Sequence, residues 1–194
     1  MNNYPEYAEV NGHKYKINTD FRYAIKCDEI AKDESIGDME KALGILVTLF
    51  GEEGIDYPDD YEKLFKIAKK YLCCGEELIN EEKVDMDLQQ DKKYIESSFK
   101  YDYKYDPYKE EYLHWYEFYN DLCNLSNSEM GDCCVLSRIR NLRNYDVSDI
   151  KDSKERQKIL KAKEQVALKK KEVKITLTEE QEKSRDEFYK NLIL

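Results

Sequence analysis

Apolar residues along this chain recur first at every second position and then at every third or fourth, so the pattern opens with strands and continues with helices. In "AEVNGHKYKI", Asn11-Gly12 sits between two short alternating runs, and Asn-Gly supplies the positive φ angles of a type I′ turn. This predicts a hairpin over about residues 7–17. Its apolar side, Val10 with Tyr15 or Ile17, must lie against helices, because a two-stranded hairpin alone is marginal in water. Thr19 or Asp20 caps a first predicted helix with Phe21, Ala24, Ile25 and Ile30 inward. Gly37 and Asp38 open a second, 38–50, with Ala42, Leu43, Leu46 and Phe50 inward. Asp59 or Asp60 starts a third, holding Leu64, Ile67, Ala68 and Tyr71, and Gly75 stands where a left-handed C-terminal residue belongs.

Residues 76–107 break this rhythm, since "EELINEEKVDMDLQQDKK" has few apolar positions and "FKYDYKYDP" alternates Tyr with charge, so the segment reads as a mobile or loosely packed connector. Helices are predicted over about 108–125, 128–143 and 150–172, and Thr178 to Gln181 forms a capping box for a last one. The expected layout is a hairpin plus helical block (1–75), an acidic Tyr-rich connector (76–107), an aromatic helix and basic helices packed on the first block (108–172), and a final helix or mobile tail (173–194). The fold class is mainly α, with a short N-terminal β-hairpin and long C-terminal helices.

Composition qualifies this picture. The 41% of hydrophobic residues includes 17 Tyr, and with 38% charged residues and a mean hydropathy of -0.87 the core must be modest and partly aromatic. No window approaches the roughly 20 apolar residues that span a bilayer, and the start, MNNYPEYAEV, lacks the blocks of a signal peptide, which predicts a cytoplasmic protein without membrane contact. In that compartment the six Cys read as thiols. Charge is uneven: residues 1–135 carry 16 Lys/Arg against 31 Asp/Glu, or -15, whereas residues 136–174 carry 13 against 6, or +7. The chain is electrically polar along its length.

Candidate chemistry concentrates in "EEYLHWYEFYNDL", where Tyr112, Trp115 or Tyr116, Tyr119 and Leu122 or Cys123 recur at helical spacing. A core helix is the plainest reading; a docking face is the sharper one. His114 lies off that stripe with Glu110, Glu111 and Glu117 on its own face, but no Ser or Cys nucleophile motif exists for it to serve. His13, in the hairpin, is expected at the surface. Cys73-Cys74, Cys123 and Cys133-Cys134 lack the C-x2-C spacing of zinc knuckles, and the vicinal pairs read as small buried residues. The basic run over 138–171 suits a solvated helix face, a contact with an acidic protein surface, or phosphates. With no Walker loop, GxGxxG, HExxH, GxSxG or paired-carboxylate signature, the chain reads as a binding protein with no catalytic residue, no cofactor and no metal.

Three stretches together resemble a known family. "NGHKYKINTDFRYAIKCDEI", "YLHWYEFYNDL" and "LSRIRNLRNYDVSDIKDSKERQKI" are similar to the bacteriophage gp-fifteen family of phages and prophages of Gram-positive hosts, over most of residues 7–168. The most specific piece is Leu113-His114-Trp115 followed by Arg138-Ile139-Arg140, with Tyr116 where members usually carry a second Trp. By gene position the family is similar to the tail assembly chaperones of long-tailed phages. The resemblance therefore implies a chain that binds the tape-measure protein and keeps it soluble during tail tube assembly, acts in the host bacterial cytoplasm and is absent from the finished virion. Opposite charge at its two ends suits head-to-tail self-association. Tyr112, Trp115, Tyr116, Tyr119, Arg138, Arg140 and Arg143 are the expected partner-binding residues. The alternative is a phage-encoded nucleic-acid-binding or regulatory protein using 138–171, a use of nucleic acid that the acidic whole disfavours.

Overall fold

The computed structural model describes residues 4–75, 84–127 and 133–169. Among them the fold is mainly helical, with seven α-helices and one antiparallel hairpin. The predicted last helix beyond 173, the start of the 128–143 helix and the first part of the acidic connector lie outside the described residues.

Strands β1 (Tyr7–Val10) and β2 (His13–Lys16) pair with Val10 opposite His13, and Asn11 and Gly12 both take positive φ, at 50° and 86°. The alternation holds: Ala8, Val10 and Tyr15 are buried on one side. That side is fastened by a carboxylate from the next block. Asp60, itself buried, accepts hydrogen bonds from Asn11 Nδ2 (2.6 Å), His13 Nδ1 (2.7 Å) and Tyr15 Oη (2.6 Å). These donors, Tyr15 first and then His13, hold its carboxyl below the usual carboxylate range despite burial. His13 is accordingly not a loose surface group: its ring stacks on Tyr57 at 3.8 Å and its side chain is 40% exposed.

Helix α1 (Phe21–Ala31) is capped by Asp20, whose side chain accepts from Arg22 N, and buries Phe21, Ala24, Ile25 and Cys27. Helix α2 (Asp38–Phe50) has the expected bounds, but its buried residues are Ile45, Leu46, Leu49 and Phe50, with Ala42 and Leu43 only half-buried. Helix α3 (Tyr61–Leu72) buries Leu64, Ala68 and Tyr71 and ends through Cys74 and Gly75, both at positive φ. The glycine's N–H donates to Lys70 O at 2.8 Å, the reach-back bond of a left-handed helix terminus.

The described part of the connector, residues 84–107, departs from its expected looseness. Residues 92–102 form helix α4 (Lys92–Asp102), and Ile95, Ser98 and Phe99 are fully buried in the common core. Two large apolar residues at i and i+4 are enough to seat a short helix when both are inserted completely. The aromatic helix is also shorter than expected, with α5 at Trp115–Cys123 after turns and irregular backbone from Tyr103 to Leu113. Helix α6 (Val135–Asn144) packs on α4, and α7 (Ser153–Val166) packs on α6 with no fully buried residue of its own. One continuous apolar cluster, from Ala8 to Leu136, joins the hairpin to α1–α6.

The hairpin supplies a test. No heavy atom lies within 4 Å of a Cβ built on Gly12, so Gly12→Val meets no clash and suffers only from its φ of +86°. Thermal or denaturant unfolding should show a loss of about 1–2 kcal/mol; an unchanged midpoint would contradict the I′ turn.

Candidate partner-binding surface

Helix α5 begins where α1 begins, and the two N-termini are tied to each other. Trp115 N donates to Thr19 O (2.8 Å) and Phe21 N to Leu113 O (3.0 Å), which makes Asp20 and His114 an isolated antiparallel bridge. Each residue caps its own helix: Asp20 Oδ1 accepts from Arg22 N (3.0 Å) and His114 Nδ1 from Tyr116 N (3.0 Å). Acceptance at Nδ1 places the proton on Nε2, which is buried and has no hydrogen-bond partner among the described residues. Burial pulls the imidazole below its ordinary pKa, against Glu117 and Glu6, so the ring is neutral at pH 7. It stacks under Tyr4 at 4.6 Å. His114 is a helix cap, not a base facing a substrate.

Beyond the cap, α5 presents three faces. Trp115, Phe118 and Leu122 point into the core. Phe118, a residue the sequence pattern did not single out, is the centre: it stacks on Phe21 of α1 (4.4 Å), Phe99 of α4 (5.4 Å) and Trp115 (6.0 Å). Trp115 is 5% exposed, and its indole N–H donates to Leu72 O at 3.2 Å, which pins α5 to the end of α3. The second face carries half-buried Tyr116, whose ring lies 5.1 Å from that of Tyr71, and Tyr119, 5.4 Å from Trp115. Burial pushes the Tyr116 phenol up to about 12.

The third face, Glu117, Asn120 and Asp121, lines an open groove of about 620 Å³ with Tyr4, Tyr105, Tyr112 and Glu110 opposite. Its walls are fixed from behind. Tyr112, 56% exposed, hydrogen-bonds Thr19 Oγ1 at 2.8 Å, Arg22 donates to Glu110 O, and Tyr105 Oη donates to Asp121 Oδ2 at 2.6 Å. Tyr112 thus belongs to this groove rather than to a continuous stripe with Tyr119.

The three arginines expected to join the aromatics lie on α6, which packs on α4, and they differ among themselves. Arg138 is exposed. Arg140 Nε donates to Asp85 Oδ1 at 3.0 Å with its side chain 44% exposed. Arg143 is not a surface charge: its guanidinium grips the buried Asp91 carboxylate through two bonds of 2.7 Å and also donates to Asp85 O and Val166 O. The hydrogen bonds from Arg143 to Asp91 are what raise its pKa further. Asp91 in turn accepts from Asp87 N (3.0 Å), so one ion pair closes the turn before α4 and holds the end of α7.

Cysteines are thiols throughout. Cys27, deep in the core, has its thiol pushed up to about 12 by burial and then by Asp28, and Cys134 lies 3.3 Å from Ser137 Oγ. Among the described residues no three His, Cys, Asp or Glu side chains converge on a point that holds a metal, and no helix is long and apolar enough to cross a membrane.

Two measurements check this arrangement. Arg143→Met leaves the Asp91 carboxylate buried without its cation and should cost roughly 3–5 kcal/mol in denaturant unfolding, whereas Arg140→Met, at an exposed pair, should stay within about 1 kcal/mol. Equal effects would contradict the burial of the Arg143–Asp91 pair. For His114, a folded pKa below the unfolded value of about 6.5 means that the unfolded chain binds the proton better. Its contribution is therefore complete above about pH 6.5 and declines as pH falls from there to the lowered folded pKa. His114→Asn keeps a capping acceptor and removes the titration, so the stability gap between wild type and variant should narrow over that window. A gap independent of pH would refute the buried neutral imidazole.

No curated protein and no solved structure matches this chain. The family pattern described as Bacteriophage Gp15 protein does, over residues 1–168, from the first hairpin through α7. The chain belongs to the Bacteriophage Gp15 protein family.

Proposed function

We propose that this protein is a phage tail assembly chaperone that binds the tape-measure protein and keeps it dispersed in the host cytoplasm until the tail tube has formed around it, without itself remaining in the virion. Family membership supports a role in phage assembly. The observation that carries the finer reading is α5, where a helix locked into the core on one face holds Tyr116 and Tyr119 half-buried on the next, with polar tips beside apolar rings. Such a rim accepts the apolar side of a partner helix while staying compatible with water when empty. The acidic body, with 31 Asp/Glu against 16 Lys/Arg over residues 1–135, supplies the repulsion that keeps loaded complexes apart.

The alternative, phosphate binding by 138–171, loses two of its cations to internal partners, since Arg140 pairs with Asp85 and Arg143 with Asp91. Arg138 and the lysines of α7 remain for a charged contact.

Coexpression with the tape-measure protein of the same phage provides the test. This chain should shift that protein from the pellet to the soluble fraction and co-purify with it without added nucleotide or metal. Tyr116→Ala with Tyr119→Ala should weaken the rescue while leaving a folded protein. A folded wild type that neither binds nor solubilises any fragment of the tape-measure protein refutes the proposal, and retention of DNA or RNA lost on reversing Arg138 and the α7 lysines would establish the alternative.

A further inference from the structure

We infer that the acidic, tyrosine-walled groove beside α5 receives helix α7 of a second copy of this chain, so that copies join head to tail. This does not rest on the tape-measure reading. The groove presents Glu110, Glu117 and Asp121 among Tyr4, Tyr105 and Tyr112. Among the described residues no lysine or arginine is ion-paired with any of the three carboxylates, and nearby His114 carries no compensating charge because burial keeps it neutral. Carboxylates between aromatic walls bind cationic side chains twice over, through charge and through the ring faces against which the aliphatic stem and ammonium lie. The groove is wide and open to solvent, at about 620 Å³, which leaves room for the side chains of a helix.

Helix α7 has the complementary chemistry. Over Ser153–Val166 it carries five Lys/Arg against two Glu. Its half-buried positions, Ile159, Ala162, Lys163 and Val166, share the side packed on α6, while Lys154, Lys158 and Lys161 are exposed at i, i+4 and i+7. No residue of α7 is fully buried, so a whole cationic side remains to be covered.

Within one chain α7 is engaged elsewhere. Helix α7 lies on α6, α6 lies on α4, and the C-terminal end of α7 is fixed there by Arg143 to Val166 O (2.6 Å) and by the Gln90 side-chain amide, which bonds the backbone of Lys169 in both directions (3.0 and 2.8 Å). The groove belongs to α5 and the turn before it. A contact between unlike surfaces leaves a free groove at one end and a free α7 at the other, so the assembly grows instead of closing as a two-fold dimer. One helix in one groove is a small interface, and most of its attraction is charge at the rim, so association is weak, reversible and salt-sensitive.

Sedimentation velocity on the full chain at low salt tests this. Wild type should form species that lengthen with concentration and dissociate as salt rises. A groove variant, Glu110→Lys with Glu117→Lys, and a helix variant, Lys154→Glu with Lys158→Glu and Lys161→Glu, alter exposed residues only and should each be folded and monomeric. Mixed, they should assemble again, because the native helix of the groove variant fits the native groove of the helix variant, and the reversed groove and reversed helix also carry opposite charges. The proposal is overturned if wild type is monomeric at every concentration reached, if either folded variant assembles like wild type, or if the mixture stays monomeric. A monomeric wild type whose groove variant loses tape-measure binding would give the groove to that partner, and failed tape-measure rescue with normal self-assembly would sink the chaperone reading alone.

Discussion

The paired caps at Asp20 and His114 are the constraint on which the rest depends. Two helices distant in sequence start from one short antiparallel bridge, with each cap's neighbour bonded to the other strand. Both helices then leave the same point with their first turns in contact, and this is what brings Phe21 and Phe118 into a stack at 4.4 Å. The bridge also sets two positive helix ends side by side, and the Asp20 carboxylate, which caps α1 and accepts from Leu113 N as well, is the charge that makes this tolerable. The groove inherits its position from the same point, since Thr19 holds Tyr112 and Arg22 holds Glu110 O.

Carboxylates, two of them buried, carry out the remaining long-range joins, each in its own way. Asp60 fastens the hairpin to the start of α3 with three donors and no lysine or arginine, while Asp91 fastens α4 to α6 and α7 through one guanidinium. Asp102 ties α4 to the approach to α6 by accepting from both Ser126 N and Ser126 Oγ, and Ser126 Oγ in turn accepts from Cys134 N. In a chain with so little aliphatic surface, polar joins fix register and direction that a larger apolar core would otherwise set. They are strong only when complete, which is why the loss of one partner costs more than the loss of a surface pair.

The sequence made the local features legible and left the distant ones obscure. Asn11-Gly12, the Asp38–Phe50 helix and the Gly75 terminus each follow from a few neighbouring residues and stand where the pattern places them, and of the two caps the pattern allows for the first helix, Thr19 and Asp20, the fold uses Asp20. Helix α4 was hidden because Ile95 and Phe99 are its only fully buried apolar side chains within a run of Lys, Tyr and Glu, a pattern shared with exposed linkers. The pattern fits Tyr119 and Phe118 equally, since Trp115, Phe118 and Leu122 also follow i, i+3, i+7; which of two adjacent aromatics turns inward depends on the partner helix. Arg143 looked like one cation of a basic face. Only the fold, by placing Asp91 opposite, separates it from Arg138, which has the same local sequence character.

The tyrosines connect this economy of core to the proposed role. Several put the ring in the interior and the phenol on a polar partner: Tyr15 on Asp60, Tyr103 on Asp121 O, Tyr105 on Asp121, Tyr61 on Ile55 O. Such a side chain fills volume as Phe does, yet its end can face water. A phenylalanine at Tyr112 or Tyr116 would form a sticky apolar rim, prone to indiscriminate association, whereas the tyrosine hydroxyl keeps that rim compatible with water. On the proposed reading, the carboxylates of the groove beside Tyr112 would favour helices with lysine or arginine on their flanks over acidic ones. Under the proposed chaperone role, that combination of weak apolar grip and charge-based choice would matter more than tight binding, and it follows from where α5 is anchored rather than from any single reactive group.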